Sequence, residues 1–346
     1  MAQQKRRLRQ AGILDVAARA AVSPATVSRY FNHPDLVRYK TKERILKAAT
    51  ELGYVRNRAA GSLNRGRSSS IGLIVPTVDN AIFAELIQEF ASSLATFEHA
   101  LLISAHGYDL AREAELVLTL LEHQVDGIVL VGAEHAAETF KLIEANDLPA
   151  LTVWNWNRRP HLPCIGIDNG ELGRLAARHL FELGHRDIAC LFPGGGGNDR
   201  AAHRRDGALK ALAKLTAPVD AHRRIDCPYD IDVAKEIITS LLTQGPAPTA
   251  ILAGNDIIAQ AAIYAAAATD RRVPDDLSVM GIGDFRGSAA IEPALTTIRI
   301  PAREIAARAA TTVVRLVGDP EDAQAQSQRV VPELLIRSST APPRAR

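Results

Sequence analysis

The sequence predicts a small all-α helix-turn-helix headpiece followed by a larger α/β body, two-lobed and built on parallel sheets. Three observations predict it. Positive charge is concentrated at the front: residues 1–68 hold 15 Lys/Arg against 4 Asp/Glu, whereas the remaining 278 hold 26 against 35, so the net charge of +2 conceals a basic module on a mildly acidic body. Apolar residues across 13–52 recur with the 3.6-residue period of amphipathic helices. From Ile71 onward, short apolar runs alternate with helical stretches, the pattern of parallel strands covered by helices.

Composition bounds the class. The chain has 346 residues, 47% hydrophobic and 23% charged, ordinary values for a globular protein. No run of about 18 apolar residues exists, so no membrane span is expected. The basic start "MAQQKRRLRQAGILDVAARAA" carries Asp15 and Arg19 where a signal peptide needs an apolar core, so export is not expected either. Cys164, Cys190 and Cys227 are odd in number and far apart, which suggests neither a disulfide framework nor a zinc site. A reducing cytoplasm fits best. A front-loaded basic module on an acidic body points to a polyanionic partner for the module alone.

Three helices are read in that module. "ILDVAARAA" sets Ile13, Val16, Ala17 and Ala20 on one face. "SPATVSRYFN" begins with Ser23 as N-cap and Pro24 at the first helical position, and Val27 and Phe31 share a face. "KTKERILKAATELGY" offers Thr41 as a cap, Ile45, Ala48, Ala49 and Leu52 as the apolar face, and Gly53 as a stop. The tight link "AVS" makes the first two a helix-turn-helix. In such a unit the second helix enters the major groove N-terminus first. Small side chains at Pro24, Ala25 and Thr26 let its backbone come close to the bases. Ala25 or the Thr26 methyl can touch a thymine methyl, Arg29 can reach guanine O6 and N7, and Ser23, Thr26 and Ser28 suit phosphate oxygens.

The motifs "DVAARAAVSPATVSRYFN", "T-x-E-R-I-L-x-A-A-x-E-L-G-Y" and "NRAAGSL" together resemble the lactose-repressor/galactose-repressor family of bacterial transcription regulators, and the resemblance runs over essentially the whole chain. Ala21 departs from it, since the family usually has glycine in the helix-helix turn. If that turn needs a positive φ, alanine costs on the order of 1 kcal/mol. The segment "RNRAAGSLNRGRSSS" matches the family's hinge, which becomes a helix when two copies meet in the minor groove. The resemblance gives Leu63 as the wedge at the central base step, with Asn57 and Ala60 among the groove and backbone contacts. A helix this short is marginal in water, and Gly61 weakens it by about a further 1 kcal/mol, so folding on binding is expected.

In the body, strand-like runs are "IGLIVPT", "ALLISAH", "DGIVLVG", "ALTVWNW", "CIGIDN", "DIACLFPG", "TAILAGND", "SVMGIGD" and "TTIRI". About nine strands suggest two consecutive sheets. The resemblance implies a periplasmic-binding-protein-like body, in which three crossings join two lobes around a ligand cleft, with the last helix and the strand "VVPELLIR" exchanged between lobes. The expected divisions are 1–58 for the headpiece, 59–69 for the hinge and 70–346 for the body. Within the body the N-lobe is about 70–167 plus 301–328 and the C-lobe about 168–300 plus 329–340.

Ligands in open α/β sheets sit beyond the carboxyl ends of strands. Those ends carry Phe83, Asn155, Trp156, Asp168, Arg204, Tyr229, Asn255, Asp256 and Asp284, a set of aromatic platforms, amides, carboxylates and one arginine. By resemblance, Phe83 and Trp156 line the cleft, Arg204 donates to ligand oxygens, Tyr229 forms a wall, and the family's late carboxylate falls at Gly283 or Asp284. Loop capping is an equal reading for Asp168 and Asn255.

Enzymatic readings find no support. "PGGGGN" lacks the Lys-Ser/Thr of a P-loop, no G-x-S-x-G elbow occurs, and the ten histidines never take metal-ligand spacing, so no catalytic residue, metal or cofactor is expected. The expectation is a homodimeric, ligand-controlled regulator, most plainly a repressor. It binds double-stranded, near-palindromic operator DNA, and its effector is a sugar, a sugar acid or, alternatively, a nucleoside. A solute-binding receptor or an α/β enzyme without DNA function is the competing class.

Overall fold

In a computed structural model the chain divides into two compact units, Met1–Ser68 and Ser69–Arg346. The structure describes residues 11–55, 68–158, 160–194, 196–322 and 326–344. The hinge positions Asn57, Ala60 and Leu63 lie outside the described residues.

The first unit holds helices α1 (Ile13–Ala20), α2 (Pro24–Asn32) and α3 (Tyr39–Glu51), with a short 3₁₀ turn at Pro34–Leu36 before α3. Val16, Ala17, Ala20, Val27, Ile45, Ala48 and Ala49 form its core, and Ile13, Phe31, Leu52 and Tyr54 pack against them. These are the faces the helical period picks out. α1 ends at Ala21, whose backbone is left-handed at φ 50, ψ 53. The Val22 N–H donates to Ala17 O at 3.0 Å and the Ala21 N–H to Ala18 O at 3.2 Å, a Schellman end normally closed by glycine. Arg44 of α3 braces this turn, donating to Ala20 O and, at 2.7 Å, to Ala21 O. Thr41 is not the cap of α3. The helix opens earlier, because Arg38 is extended (ψ 144) and its carbonyl already accepts from Thr41 N at 2.9 Å and Lys42 N at 3.0 Å.

The second unit contains two six-stranded sheets. One runs β11-β5-β4-β3-β1-β2, from Gln328–Arg329, Cys164–Ile167, Ala150–Asn155, Gly127–Val131, Ser70–Val75 and Ala100–Ala105, every pair parallel. The other runs β12-β10-β9-β8-β6-β7, from Glu333–Leu335, Thr296–Arg299, Ser278–Gly283, Ala250–Ala253, Ile188–Phe192 and Arg224–Asp226. There only β12 is antiparallel. The central strands are buried along their length, as expected when helices cover both faces.

The covering helices are α4 (Ala81–Thr96), α5 (Ala111–Glu122) and α6 (Ala137–Ala145), then α7 (Asn169–Glu182), α8 (Asp199–Lys214), α9 (Ile231–Thr243), α10 (Asp256–Ala268) and α11 (Ala302–Gly318). The chain leaves the first sheet after β5 and returns to it through α11, which packs on α4, β3 and β4; β11 then joins that sheet and β12 the other. Three crossings therefore connect the lobes. α7 and α8 approach closely because both carry glycine at the contact. A Cβ at Gly173 would overlap Arg204 O, and one at Gly207 would overlap Gly170 O.

Candidate nucleic-acid interface and ligand cleft

α2 is built to present its first turn. The Ser23 side chain accepts from Thr26 N at 3.2 Å, and Pro24 at the first position loses nothing, since its missing N–H has no helical partner. Ser23, Pro24, Ala25 and Arg29 are exposed, Thr26 and Ser28 half-buried, and only Val27 is committed to the core. The Ser23 and Thr26 hydroxyls bond each other at 2.8 Å, and Ser28 Oγ accepts from Asn32 Nδ2 at 3.2 Å. Arg19 and Lys47 are turned to Glu51, at 2.6 and 4.0 Å, and Arg44 serves the turn. Arg29, Arg38 and Lys40 are exposed and have no acidic partner among the described residues. Arg38 and Lys40 are not among the contact residues that the sequence predicts.

In the body a cavity lies between the lobes at the strand ends. Asn80, Ile82, Phe83, Tyr108 and Trp154 line it from the first lobe, and Asn198, Arg200, Arg204, Tyr229, Asn255 and Phe285 from the second, with Ile300 at a crossing. Phe83 and Trp154 pack with ring centroids 5.2 Å apart, tilted 48°. Arg204 is buried; its Nε donates to Asn169 Oδ1 at 2.9 Å and its Nη1 to Gly254 O at 3.1 Å. Removal from water pulls its pKa down, and the neighbouring Arg200 pulls the same way, while Tyr229, Tyr108 and Asp199 oppose it. Burial pushes the Tyr108 phenol up to about 12, so it stays a hydroxyl. The cavity volume is about 20 Å³, room for roughly one water molecule.

The lobes are tied together across this cavity by the first turn of α8. Asp199 Oδ2 accepts from Ala133 N at 2.8 Å and from Asn155 Nδ2 at 2.6 Å. Arg200 pairs with Asp199 at 3.0 Å and donates to Val131 O at 3.3 Å. Asn155 Oδ1 in turn accepts from Asn169 Nδ2 at 2.8 Å, so a hydrogen-bonded chain runs from Asp199 through Asn155 and Asn169 to Arg204.

Of the residues read at the strand ends, Phe83, Arg204, Tyr229 and Asn255 come together in the cavity. Asn155, Trp156 and Asp168 do not; they line a separate, open hollow of about 530 Å³ beside Arg158, Arg174 and Lys210. The tryptophan that lines the interlobe cavity is Trp154, not Trp156. β4 ends at Asn155, and Trp154 takes φ 84, which breaks the strand alternation that would keep positions two apart on one face. Trp156 instead lies under the Arg329 guanidinium, 5.0 Å from its ring centre. Asp168 caps α7, accepting from Glu171 N at 3.0 Å, and pairs with Arg174 at 3.1 Å. The Asp284 carboxylate is spent between Arg337 and Arg299, at 2.6 and 2.8 Å, and neither it nor Gly283 lines the cavity; Phe285 does. Asp256 is fully buried and accepts from Thr297, Ser288 and Phe285 N, a brace within the second lobe. Asn80, Tyr108, Asn198 and Arg200 were missed. Three of the lining residues, Asn80, Asn198 and Asn255, are helix N-caps, and asparagine directly before a helical run at a strand end was the available signal.

Two family descriptions match the chain: "Bacterial regulatory proteins, lacI family" over residues 12–57, and "Periplasmic binding protein-like domain" over residues 177–340. The chain is 32% identical over 337 residues to the HTH-type transcriptional regulator DegA of Bacillus subtilis (strain 168), covering 95% of this chain and 98% of that protein. It is 33% identical over 334 residues to the HTH-type transcriptional repressor PurR of Yersinia pestis (strain Pestoides F), covering 96% and 97%. Among solved structures it is similar to the lac repressor dimer bound to operator and the anti-inducer ONPF, at 26% identity and TM-score 0.83, covering 96% of this chain and all of that one (100%).

Proposed function

Because the chain belongs to the lacI family of bacterial regulatory proteins, and so is a DNA-binding transcriptional regulator, we propose that it is a ligand-responsive repressor acting as a homodimer on a near-palindromic operator. The observation that carries this reading is the first turn of α2, capped by Ser23, with Pro24, Ala25 and Arg29 exposed and Arg29 without an acidic partner among the described residues. A helix end of this kind approaches base edges closely and places one long cation at them. In this reading Arg29 reads bases, Ser23, Thr26 and Ser28 meet phosphates, and Asn57, Ala60 and the Leu63 wedge act in the minor groove.

The second half of the proposal concerns the effector, a carbohydrate or sugar acid from the pathway whose genes are regulated, seated between the lobes on Phe83, Tyr229, Arg204 and Asn255. The Phe83–Trp154 pair supports a ring against an aromatic face, and the polar residues around it support recognition of its oxygens. The cavity is too small for such a molecule while the lobes are tied by Asp199. Binding therefore changes the lobe angle, and with it the spacing of the two hinges in a dimer. A coupling of this type is worth about 1–3 kcal/mol. A regulator working on chromosomal DNA acts in the cytoplasm, at the nucleoid.

The test is Arg29→Ala. Preference for operator over unrelated duplex should drop by about 1–3 kcal/mol, while the salt-sensitive, non-specific affinity is largely retained, as read by fluorescence anisotropy at two ionic strengths. Equal loss on both DNAs would remove the base-reading role.

A further inference from the structure

We propose that His135 and Glu113 form a proton-sensitive strut that positions the Asp199 tie between the lobes, so that loss of one proton from the pair loosens the closed form. The pair lies at the strand ends of the first lobe, Glu113 on α5 and His135 in the link from β3 to α6, and both side chains are 1% exposed. His135 Nδ1 faces the two Glu113 oxygens at 3.1 and 2.9 Å, and its Nε2 faces Gly132 O at 3.3 Å. Each ring nitrogen therefore meets an oxygen. The Gly132 carbonyl and the Ala133 N–H belong to one rigid peptide plane and point opposite ways. On the far side of that plane, Ala133 N donates to Asp199 Oδ2 at 2.8 Å, one of the bonds that tie α8 to the first lobe. A proton on His135 Nε2 thus holds the plane as the tie needs it and polarises its N–H as a donor. The brace matters because Gly132 sits at φ 118, and glycine resists rotation of the plane less than any other residue.

Proton counting gives the switch. While the pair holds its titrating proton, between Nδ1 and the Glu113 oxygens, the other ring proton stays on Nε2 and donates to Gly132 O. When the titrating proton leaves to solvent, Glu113 is an anion buried against a neutral ring. A charge-assisted bond then draws the one remaining ring proton to Nδ1. Nε2 is left as a bare lone pair facing a carbonyl oxygen, and the peptide plane loses its brace. The sign follows. The closed form holds the proton more tightly than the open form, so closure is fully favoured at low pH and weakens as the pH rises through the titration of the pair.

The other charged and titratable groups around the pair do not reverse this sign. His106, at the end of β2, feels both members of the pair together with Asp109 and Arg200; burial holds it below the ordinary imidazole value, so its own charge appears only toward acid. Asp199 and Arg200 of α8 lie against Gly132, where a Cβ would meet both. They pair with each other at 3.0 Å and leave together when the lobes part, so opening changes little net charge beside His135. From α6, the uncharged Phe140 meets the His135 ring edge-on at 5.7 Å, and beyond it lies the exposed His161–Glu144 pair. Glu134, in the same link, is exposed. If the cavity takes the effector, entry is easier as the pH rises, but the strut itself does not depend on that reading.

The experiment uses the full chain carrying Trp156→Phe, so that Trp154, 1% exposed in the interlobe cavity, is the one tryptophan left. Acrylamide quenching of its fluorescence is read without any effector from about pH 6 to about pH 8.5. Quenching should rise about twofold or more across that range as the cavity opens. Two variants of the pair should then act in opposite directions. Glu113→Gln offers Nδ1 an amide donor and no charge, so Nε2 keeps its proton at every pH and quenching should stay at the low, acid level. His135→Asn can still donate to Glu113 but is too short to reach Gly132 O, so quenching should stay at the high, alkaline level. A pair that only packs would be damaged by both changes alike. Melting temperatures show which variants are folded; if one is not, the other carries the test together with the parent profile.

A parent profile that is flat with pH overturns the proposal, as does a rise that survives His135→Asn, or a shift of both variants in the same direction. His106→Gln should leave the rise in place; its loss there would assign the switch to His106 and overturn the strut. Because no effector is added, each of these failures leaves the reading of the cavity as the effector site untouched.

Discussion

Ala21 holds a left-handed backbone that an L-residue other than glycine adopts at a cost of roughly 1–2 kcal/mol, and Arg44 is the side chain that keeps it there. Ala21→Gly relieves the Cβ penalty but gives the unfolded chain more freedom. The headpiece should gain about 0.5–1 kcal/mol, seen as a higher melting temperature of its helical signal. A loss of stability would mean that the turn relaxes elsewhere. Trp154 is another residue with positive φ, a bulky buried side chain at φ 84 that lines the interlobe cavity. This residue shows where sequence reading fails. "VWNW" offers two tryptophans two places apart, and regular alternation gives no ground to separate them. The backbone reversal that sends one into the cavity and the other under Arg329 is set by tertiary packing, not by local composition.

The elements themselves were largely legible. Helical periodicity found the three headpiece helices and their buried faces, and strand-helix alternation found the two-lobed body with its parallel-dominated sheets. The first-lobe cavity residues were less so: Asn80 showed only as a helix cap, and Tyr108 sits in a link whose composition marks only a turn. The surroundings of Asp284 were not legible either, because a carboxylate after a strand serves a ligand or a neighbouring arginine equally well, and only the fold brings Arg299 and Arg337 to it. The α7–α8 contact gives an element-scale prediction. Gly207→Ala sets a methyl against the Gly170 carbonyl, so the helices must part. A cost of about 1–3 kcal/mol or more in stability of the body is expected by chemical denaturation. Because Arg204 lies on the same helix one turn earlier, the folded variant should also lose ligand response.

At the scale of the whole molecule, three histidines of the body are buried. His185 bonds Thr249 at 3.0 Å and Ala341 O at 2.9 Å, and His179 bonds Thr340 at 3.1 Å, which staples the last described residues to the second lobe. Burial holds His106, His179 and His185 below the ordinary imidazole value of 6.5. The unfolded chain therefore takes up these protons first. Stability should be full above about pH 6.5 and fall as the pH drops below it, measurable as a declining melting temperature between about pH 7 and pH 5. The Asp199 tie has a different consequence, one of timing. With space for only about one water behind it, an effector seated there, as proposed, enters only after a spontaneous opening. The observed association rate should climb with effector concentration and then level off at the opening rate, and Asp199→Ala should raise that plateau in stopped-flow traces. The cell's response to a sudden pulse of metabolite would then have a built-in delay, set by one carboxylate rather than by how much metabolite arrives.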